Sequence, residues 1–143
     1  MPLTDEEQQA RRAAMRDIMT ATPYIRSLGI VVEEWSPDGV RVRLPFREEL
    51  SNDGVVYHGG AIASLIDTTG AAAVWAGHDF DRGVRAATVS MTVNYLGAAR
   101  QSDLLGEARC LKRGRDLSFV EITVRDADGR AVADASLVYR IVP

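Results

Sequence analysis

Two stretches of the chain alternate apolar and polar residues in the manner of half-buried β-strands. Residues 40–44 alternate valine or leucine with arginine, and in residues 88–96 the apolar side chains from Val89 to Tyr95 share one side. A period of two residues places such side chains on one face of a sheet. Four further strands are predicted at 29–35, 104–111, 119–125 and 132–142, the last two joined by Asp128-Gly129, a strong hairpin signal.

Residues 59–77 are the most apolar long segment, and they contain no Lys, Arg or Glu. A helix that is apolar on every side is buried in a protein core or spans a membrane. A span needs about 20 apolar residues, and Asp67-Thr68-Thr69-Gly70 interrupts this segment at its middle. Because a central Asp is costly to insert into lipid, we expect a buried central helix and no membrane partner.

Residues 1–22 predict an N-terminal helical extension. Thr4 and Glu7 fit a capping box, and Thr22-Pro23 marks the end of the helix. The order of helix, two strands, buried helix and four strands predicts an α+β domain with a mostly antiparallel sheet over residues 1–143. We expect a second copy of the chain to cover apolar residues such as Val120 and Leu137 on the outer face of the sheet.

Composition and charge narrow the class of protein. The chain has 143 residues, of which 46% are hydrophobic and 26% charged, as in one globular domain. The net charge of -3 gives no global basic field for a nucleic-acid partner. One cysteine excludes an internal disulfide. The acidic, polar first residues carry no secretory signal, so a cytoplasmic location is expected.

The chemistry concentrates at the start of the central helix. Gly59-Gly60 stands where free N–H groups and the positive end of the helix dipole could hold a developing oxyanion. The alternative is a plain helix start that uses flexible glycines. Asn52 and His58 frame the preceding loop, and a lone His at such a place is more often a structural hydrogen-bonding group.

Asp67 is the one charged residue of the apolar helix. A carboxylate in such surroundings costs several kcal/mol unless it is paired or reached by water, which makes it a candidate general base. The alternative is a structural Asp that bonds to the backbone or to Thr68 or Thr69. Eight residues separate Asp67 from Gly59, about 12 Å along one helix. One helix therefore cannot supply both groups to one carbonyl, and a shared site would need two chains related by a two-fold axis.

Other motifs are weaker. The nucleophile elbow and the glycine-rich nucleotide motifs are absent, and two histidines with scattered carboxylates suggest no metal site. Cys110 is expected in the core rather than as a nucleophile, and His78 suits the negative C-terminal end of the central helix. The basic turn Lys112-Arg113-Gly114-Arg115 is either a solvated hairpin tip or a phosphate contact.

These residues together resemble a known family. The pattern N-x-x-G…H-G-G-x-x-x-x-L-x-D is similar to that of the PaaI-like acyl-CoA thioesterases of the hotdog-fold superfamily, over about residues 25–142. Here it consists of Asn52, Gly54, His58, Gly59, Gly60, Leu65 and Asp67. The resemblance implies an antiparallel sheet wrapped around a long central helix, dimers joined into tetramers, and hydrolysis of acyl-CoA without metal or cofactor.

The resemblance also implies roles for residues at the matching positions. Asp67 would be the general base or nucleophile, and the Gly59 N–H would polarise the thioester carbonyl. Asn52 would position the water or the thioester, His58 would support the loop and the thiol leaving group, and Thr88 would lie near the attacking water. The residues matched to substrate binding are Gly60, Tyr95, Lys112, Arg113, Gly114 and Arg115.

The main hypothesis is thus a cytoplasmic acyl-CoA thioesterase, and the alternative is a non-catalytic acyl-CoA-binding hotdog protein. Hydration or dehydration of acyl-CoA on the same fold is less favoured, because the helix start reads H-G-G. The small residues Gly70, Ala71 and Ala72 suggest space for an aromatic or medium-chain acyl group. The loop 77–85 is a further candidate for shaping that space.

Overall fold

One antiparallel sheet and one long helix form the body of the protein. The computed structural model describes residues 1–143. The sheet has six strands in the order β1-β2-β4-β5-β6-β3, and every neighbouring pair is antiparallel. The elements are α1 (Asp5–Ala21), α2 (Pro23–Leu28), β1 (Val31–Ser36), β2 (Gly39–Leu44), α3 (Gly59–Trp75), β3 (Arg85–Tyr95), β4 (Leu104–Arg113), β5 (Leu117–Asp126) and β6 (Ala131–Val142).

The sheet wraps one side of α3, which confirms the predicted α+β hotdog architecture. Leu65 and Ile66 of α3 are fully buried. At Gly70 an added Cβ would lie 2.9 Å from the Leu137 side chain, so this glycine lets the helix approach the sheet closely. The helix is not buried all round as predicted, because Asp67 and its neighbours along one stripe are half-buried. No helix of the structure has the length and apolar character that crossing a bilayer requires.

The expectation that Val120 and Leu137 lie on the outer face of the sheet is wrong. The two residues are cross-strand partners, and each is 1% exposed. Both belong to the core cluster that includes α3. Alternation along β5 then turns its odd-numbered residues outward, which leaves Leu117 and Phe119 partly exposed. The outer face of the sheet therefore carries fewer large apolar side chains than the sequence pattern suggested.

A β-bulge in β3 changes which side chains face the helix. The pairing of β3 with β6 shifts register between Thr88 and Ser90, and Val89 has no partner. A bulge inserts one residue and reverses the alternation on one side of it. Val89 is consequently 55% exposed, contrary to its predicted place on the apolar side. Thr88 instead pairs with Tyr139 and shares the helix-facing side with Met91.

The N-terminal helices lie against the body of the domain. The predicted capping box of α1 is present, with Glu7 N–H donating to Thr4 Oγ1 and Thr4 N–H donating to Glu7. Arg12 and Arg16 donate to the carbonyls of His78 and Val32 and so tie α1 to two other parts of the chain. Sequence reasoning missed α2, in which Pro23 occupies the first turn, a position that suits proline.

The C-terminal end of α3 is held by an arginine and not by the predicted histidine. The Arg113 guanidinium donates to the carbonyls of Ala73 and Val74 at 3.0 and 2.8 Å. A cation at this end satisfies free carbonyls and favours the helix dipole. His78 is buried, and its Nε2 bonds the Gly83 carbonyl at 2.8 Å. His78 therefore anchors the following loop.

The free energy of unfolding is expected to fall as the pH drops below the ordinary pKa of histidine. Burial lowers the pKa of His78, and Arg113 and Arg12 add smaller effects in the same direction, against the Gly83 carbonyl and Asp79. The unfolded chain then binds more protons than the folded one between the lowered pKa and about 6.5, so stability rises with pH through that window. Urea unfolding at a series of pH values between about 5.5 and 7.5 measures this slope.

The matched variants are His78→Gln and His58→Gln. The chain has two histidines, and His58 is exposed. The slope should shrink in His78→Gln, which keeps an N–H for the Gly83 carbonyl, and persist in His58→Gln. An unchanged slope in His78→Gln would contradict the assignment of this pH dependence to His78.

Candidate active site

A carboxylate and a hydroxyl meet in a largely apolar cavity beside α3. Thr88 Oγ1 on β3 donates to Asp67 Oδ1 on α3 at 2.7 Å. The cavity has a volume of about 720 Å³, and ten of its fifteen lining residues are hydrophobic. Asp67 sits at the middle of α3, and the bulge beside Val89 turns Thr88 toward it. The arrangement places a hydrogen-bonded carboxylate where an apolar ligand could lie against it.

Asp67 has no cationic partner. None of the ion pairs of the chain includes it. The Thr69 hydroxyl is not a partner of Asp67, since it donates to the Leu65 carbonyl at 2.6 Å. Burial raises the pKa of Tyr139, a cavity residue, and the nearby Asp67 charge adds to that rise. Thr88 donates to Oδ1, and no group of the chain donates to the other carboxylate oxygen of Asp67.

The start of α3 leaves one backbone donor free. His58 is the N-cap, and its Nδ1 accepts the Gly60 N–H at 2.8 Å. The Tyr95 hydroxyl donates to the Gly59 carbonyl at 3.1 Å. No group of the chain accepts the Gly59 N–H, and Ala61 N–H bonds back to the His58 carbonyl. Gly59 can thus bind an oxyanion, whereas the Gly60 N–H is already engaged.

Within one chain, Gly59 and Asp67 open into different hollows. Gly59 lines an apolar hollow of about 360 Å³ together with Tyr95 and residues 96–99. Asp67 lines the larger cavity described above. Their eight-residue separation corresponds to about 12 Å along the helix. A single chain therefore does not bring the two groups to one reacting carbonyl.

Asn52 lies on an exposed loop. Its backbone N–H donates to the Val56 carbonyl at 2.9 Å, and its side chain lines neither hollow. The adjacent Asp53 has a lowered pKa because the backbone N–H groups of Val56 and Val55 bond its carboxylate. The loop is thus held by Asp53 and leaves the Asn52 amide unengaged.

The basic turn lies at the opposite end of α3 from Tyr95. Lys112 and Arg115 are exposed, while the Arg113 guanidinium caps the helix. Arg113, Gly114 and Arg115 line a polar hollow of about 520 Å³ together with Arg82. Arg82, which sequence reasoning missed, donates to the Gly114 carbonyl at 3.2 Å. The hollow gathers three arginines and one carboxylate, Asp116, so cationic groups predominate in it.

Sequence reasoning also missed the aromatic wall of the Asp67 cavity. Trp75 Nε1 donates to the Tyr139 hydroxyl at 3.1 Å, and both residues line the cavity. The Trp75 ring also lies 5.7 Å from that of Phe80. No local pattern marks this wall, because its members come from a helix end, a loop and β6. The structure contains no group of three or more His, Cys, Asp or Glu side chains placed to hold a metal.

A family model and curated relatives that match this chain are described as thioesterases or esterases. Residues 54–133 match the family model described as the thioesterase superfamily. A putative esterase of Halobacterium salinarum is 37% identical over 68% of this chain and 66% of its own length, so the chain spans just under two thirds of that relative. The human acyl-coenzyme A thioesterase 13 is 27% identical over 87% of this chain and 89% of its own length.

One solved structure shares the fold. It is that of a conserved protein from Pseudomonas aeruginosa, which is 32% identical, covers 87% of this chain and 98% of its own, and superposes with a TM-score of 0.77.

Proposed function

Because the chain belongs to the thioesterase superfamily, we propose that it hydrolyses the thioester bond of an acyl-CoA, in the manner of the PaaI-like subtype. The observation that carries the proposal is Asp67, an unpaired carboxylate bonded by Thr88 in an apolar cavity. Resemblance to an acyl-CoA thioesterase over most of the chain supports acyl-CoA as the substrate class.

In the general-base route, water attacks the thioester carbonyl and Asp67 takes its proton. The carbonyl oxygen becomes an oxyanion, which the Gly59 N–H binds. The C–S bond then breaks, the carboxylic acid forms, and the CoA thiolate receives the proton from Asp67. Thr88 donates to Oδ1 of the carboxylate, which orients Asp67 and leaves its other oxygen for the water.

In the nucleophilic route, Asp67 attacks the carbonyl and expels the CoA thiolate. Water then hydrolyses the mixed anhydride. In a single turnover in oxygen-18 water, label in Asp67 identifies the nucleophilic route, with water opening the anhydride at the aspartyl carbon. The general-base route puts label in the product alone.

The separation of Gly59 and Asp67 supports a shared active site in a homodimer or a homotetramer. Two α3 helices placed antiparallel across a two-fold axis bring Asp67 of one protomer level with Gly59 of the other. The same operation builds a second, equal site. The long edge strand β3, which carries both Thr88 and Tyr95, is open for such an arrangement.

The same operation places the basic turn of one protomer at the end where Tyr95 of the other lies. We propose that Arg115 and Arg82 bind the phosphates of CoA in the polar hollow and that the exposed Lys112, which lies outside the hollow in the same turn, adds a further positive charge. Arg113 lines the hollow while its guanidinium stays bonded to the last carbonyls of α3. Gly60 contributes by fixing His58, and His58 and Asn52 shape the loop beside the thioester.

The experiment that tests the proposal is a panel of acyl-CoA substrates read by released thiol. The proposal expects hydrolysis of at least one acyl-CoA with loss of activity in the Asp67 variant described below. If no acyl-CoA is hydrolysed while CoA or a thioether analogue binds, the protein is instead an acyl-CoA-binding module.

Replacing Thr88 by Val is expected to lower kcat by about 10- to 100-fold, because a hydrogen bond to a charged group contributes about 1.5–3 kcal/mol. Thr88→Ser keeps the hydroxyl and should retain activity within a few-fold of the wild type. Steady-state kinetics on the best substrate of the panel measure both. A Val variant that keeps the wild-type kcat, together with a loss in the Ser variant, would mean that the side-chain volume of Thr88 matters and its hydroxyl does not.

A further inference from the structure

The Asp67 cavity is a trough that runs along α3. Its α3 residues extend from Ala63 to Trp75, about 18 Å at 1.5 Å per residue. Asp67 lies near one end, and about 12 Å of the trough remains between it and Trp75. Ala71 lines this longer part. Gly70 and Ala72 do not line the trough, although the sequence suggested that they leave space there. Gly70 faces the Leu137 side chain instead.

The wall opposite α3 comes from the N-terminal helices. Met15 and Ile18 of α1 and Ile25 of α2 line the trough. The Ser64 hydroxyl donates to the Gly60 carbonyl at 2.9 Å, so in its 2.7 Å bond with Tyr24 the tyrosine hydroxyl is the donor. This bond fixes α2 on α3. The trough is therefore a built channel with apolar walls and not a gap between mobile segments.

Aromatic rings close the far end of the trough. Trp75 is 5% exposed and bonds Tyr139. His78 and Phe80 pack behind it, with ring centroids 5.0 and 5.7 Å from that of Trp75. The loop 77–85 thus supports the end wall without lining the trough. A chain that starts at Asp67 meets a rigid stop at Trp75.

We propose that this trough holds the acyl group of the substrate, that the favoured substrate carries an unbranched acyl chain of medium length, and that Ala71 and Trp75 set the longest chain accepted. The inference rests on the proposed function, because it takes the carbonyl to lie at Asp67. An aromatic acyl group would fill the part next to Asp67 and leave the part beside Ala71 empty. An unbranched chain buries apolar surface along the whole length.

In the proposed dimer the partner's helix start lies beside Ala63 and Asp67, and the longer part of the trough, from Asp67 to Trp75, holds a ligand and is not filled by the partner. A protein surface that filled this longer part as well would cut the Asp67 carboxylate off from water, and the carboxylate has Thr88 but no cation to compensate. Such burial costs several kcal/mol. A thioester substrate instead places its carbonyl beside the carboxylate and leaves the carboxylate within reach of water.

The test measures kcat/KM with butanoyl-, hexanoyl-, octanoyl-, decanoyl-, dodecanoyl- and palmitoyl-CoA, and with phenylacetyl-CoA. In the wild type, kcat/KM should rise about fourfold per added methylene up to an optimum and then fall, as burial of apolar surface predicts. Ala71→Leu should move the optimum to a shorter chain and lower kcat/KM at the wild-type optimum at least about tenfold, with less than about twofold change for butanoyl-CoA. Ala14→Leu, on the exposed side of α1, should leave the profile unchanged.

Met15→Trp narrows the same trough from α1 and carries the test if Ala71→Leu does not fold. If the folded variants hydrolyse acyl-CoA with the wild-type optimum of chain length, the inference is overturned. A wild-type preference for phenylacetyl-CoA overturns it too. In both cases the proposed function still stands. If the wild type hydrolyses nothing, calorimetry with non-hydrolysable acyl-CoA thioethers of the same lengths decides the inference separately. If Ala71→Leu or Met15→Trp changes the oligomeric mass and leaves the chain-length profile unchanged, a second copy covers this part of the trough. That outcome overturns the inference as well.

Discussion

Replacing Asp67 by Asn is expected to lower kcat for acyl-CoA hydrolysis by about 10²–10⁴-fold while the affinity for CoA stays nearly unchanged. The amide keeps the shape of the side chain and an oxygen that accepts the Thr88 hydroxyl bond. It loses the charge and the basic oxygen that takes a proton or attacks the carbonyl. Steady-state kinetics and calorimetric binding of CoA measure the two effects separately.

The matched control is Asp17→Asn, which removes an acid from the exposed surface of α1. It changes the net charge by the same amount and should keep the wild-type kcat. A kcat for Asp67→Asn within about tenfold of the wild type would remove Asp67 from the chemistry. Equal weakening of CoA binding would assign Asp67 a binding role in its place.

Replacing Gly59 by Pro is expected to lower kcat by about 10²–10³-fold, the typical loss on removing one oxyanion donor. The first position of a helix suits proline, and His58 has the extended backbone, with φ -66 and ψ 135, that the residue before a proline prefers. The change therefore deletes the one N–H at the start of α3 that no group of the chain accepts. Circular dichroism and thermal melting should show a folded protein, and steady-state kinetics should show the loss.

Gly59→Ala is the control, because it keeps the N–H and adds a Cβ at an ordinary 3.6 Å from the Tyr95 ring. It should lose little activity. Mixing Asp67→Asn with Gly59→Pro chains then tests the shared site, since each mixed dimer holds one site with both native groups. Random mixing should restore about a quarter of the wild-type activity. No recovery would place both groups of a site on one chain.

Local sequence patterns predicted the strands and α3 because alternation and apolar content record which faces are buried. They did not predict the bulge at Val89, which is set by the pairing of β3 with β6. One inserted residue reverses the faces of a strand, and it decides that Thr88 lies beside Asp67. They also missed α2, because Thr22-Pro23 reads as the end of one helix and also begins the next.

The candidate site could be predicted where one residue conflicts with its surroundings. Asp67 is such a residue, as the one charge in an apolar helix. Arg113 was not, because its partner carbonyls on α3 are 39 and 40 residues away and nothing near it in the chain marks a helix cap. Arg82, Tyr24 and Tyr139 act through contacts that the fold creates, so no neighbouring pattern signals them.

Asp67 stands at the midpoint of the seventeen residues of α3, and this fixes a symmetry rule. If Asp67 of one protomer lies level with Gly59 of the other, the two-fold axis crosses the helices at the level of Ala63, halfway between them. A bulky residue there would meet its own copy and push both catalytic centres apart at once. An inserted residue between Gly59 and Asp67 would rotate one group by about 100° relative to the other, so the spacing of eight tolerates no change in length, whereas the connecting loops do.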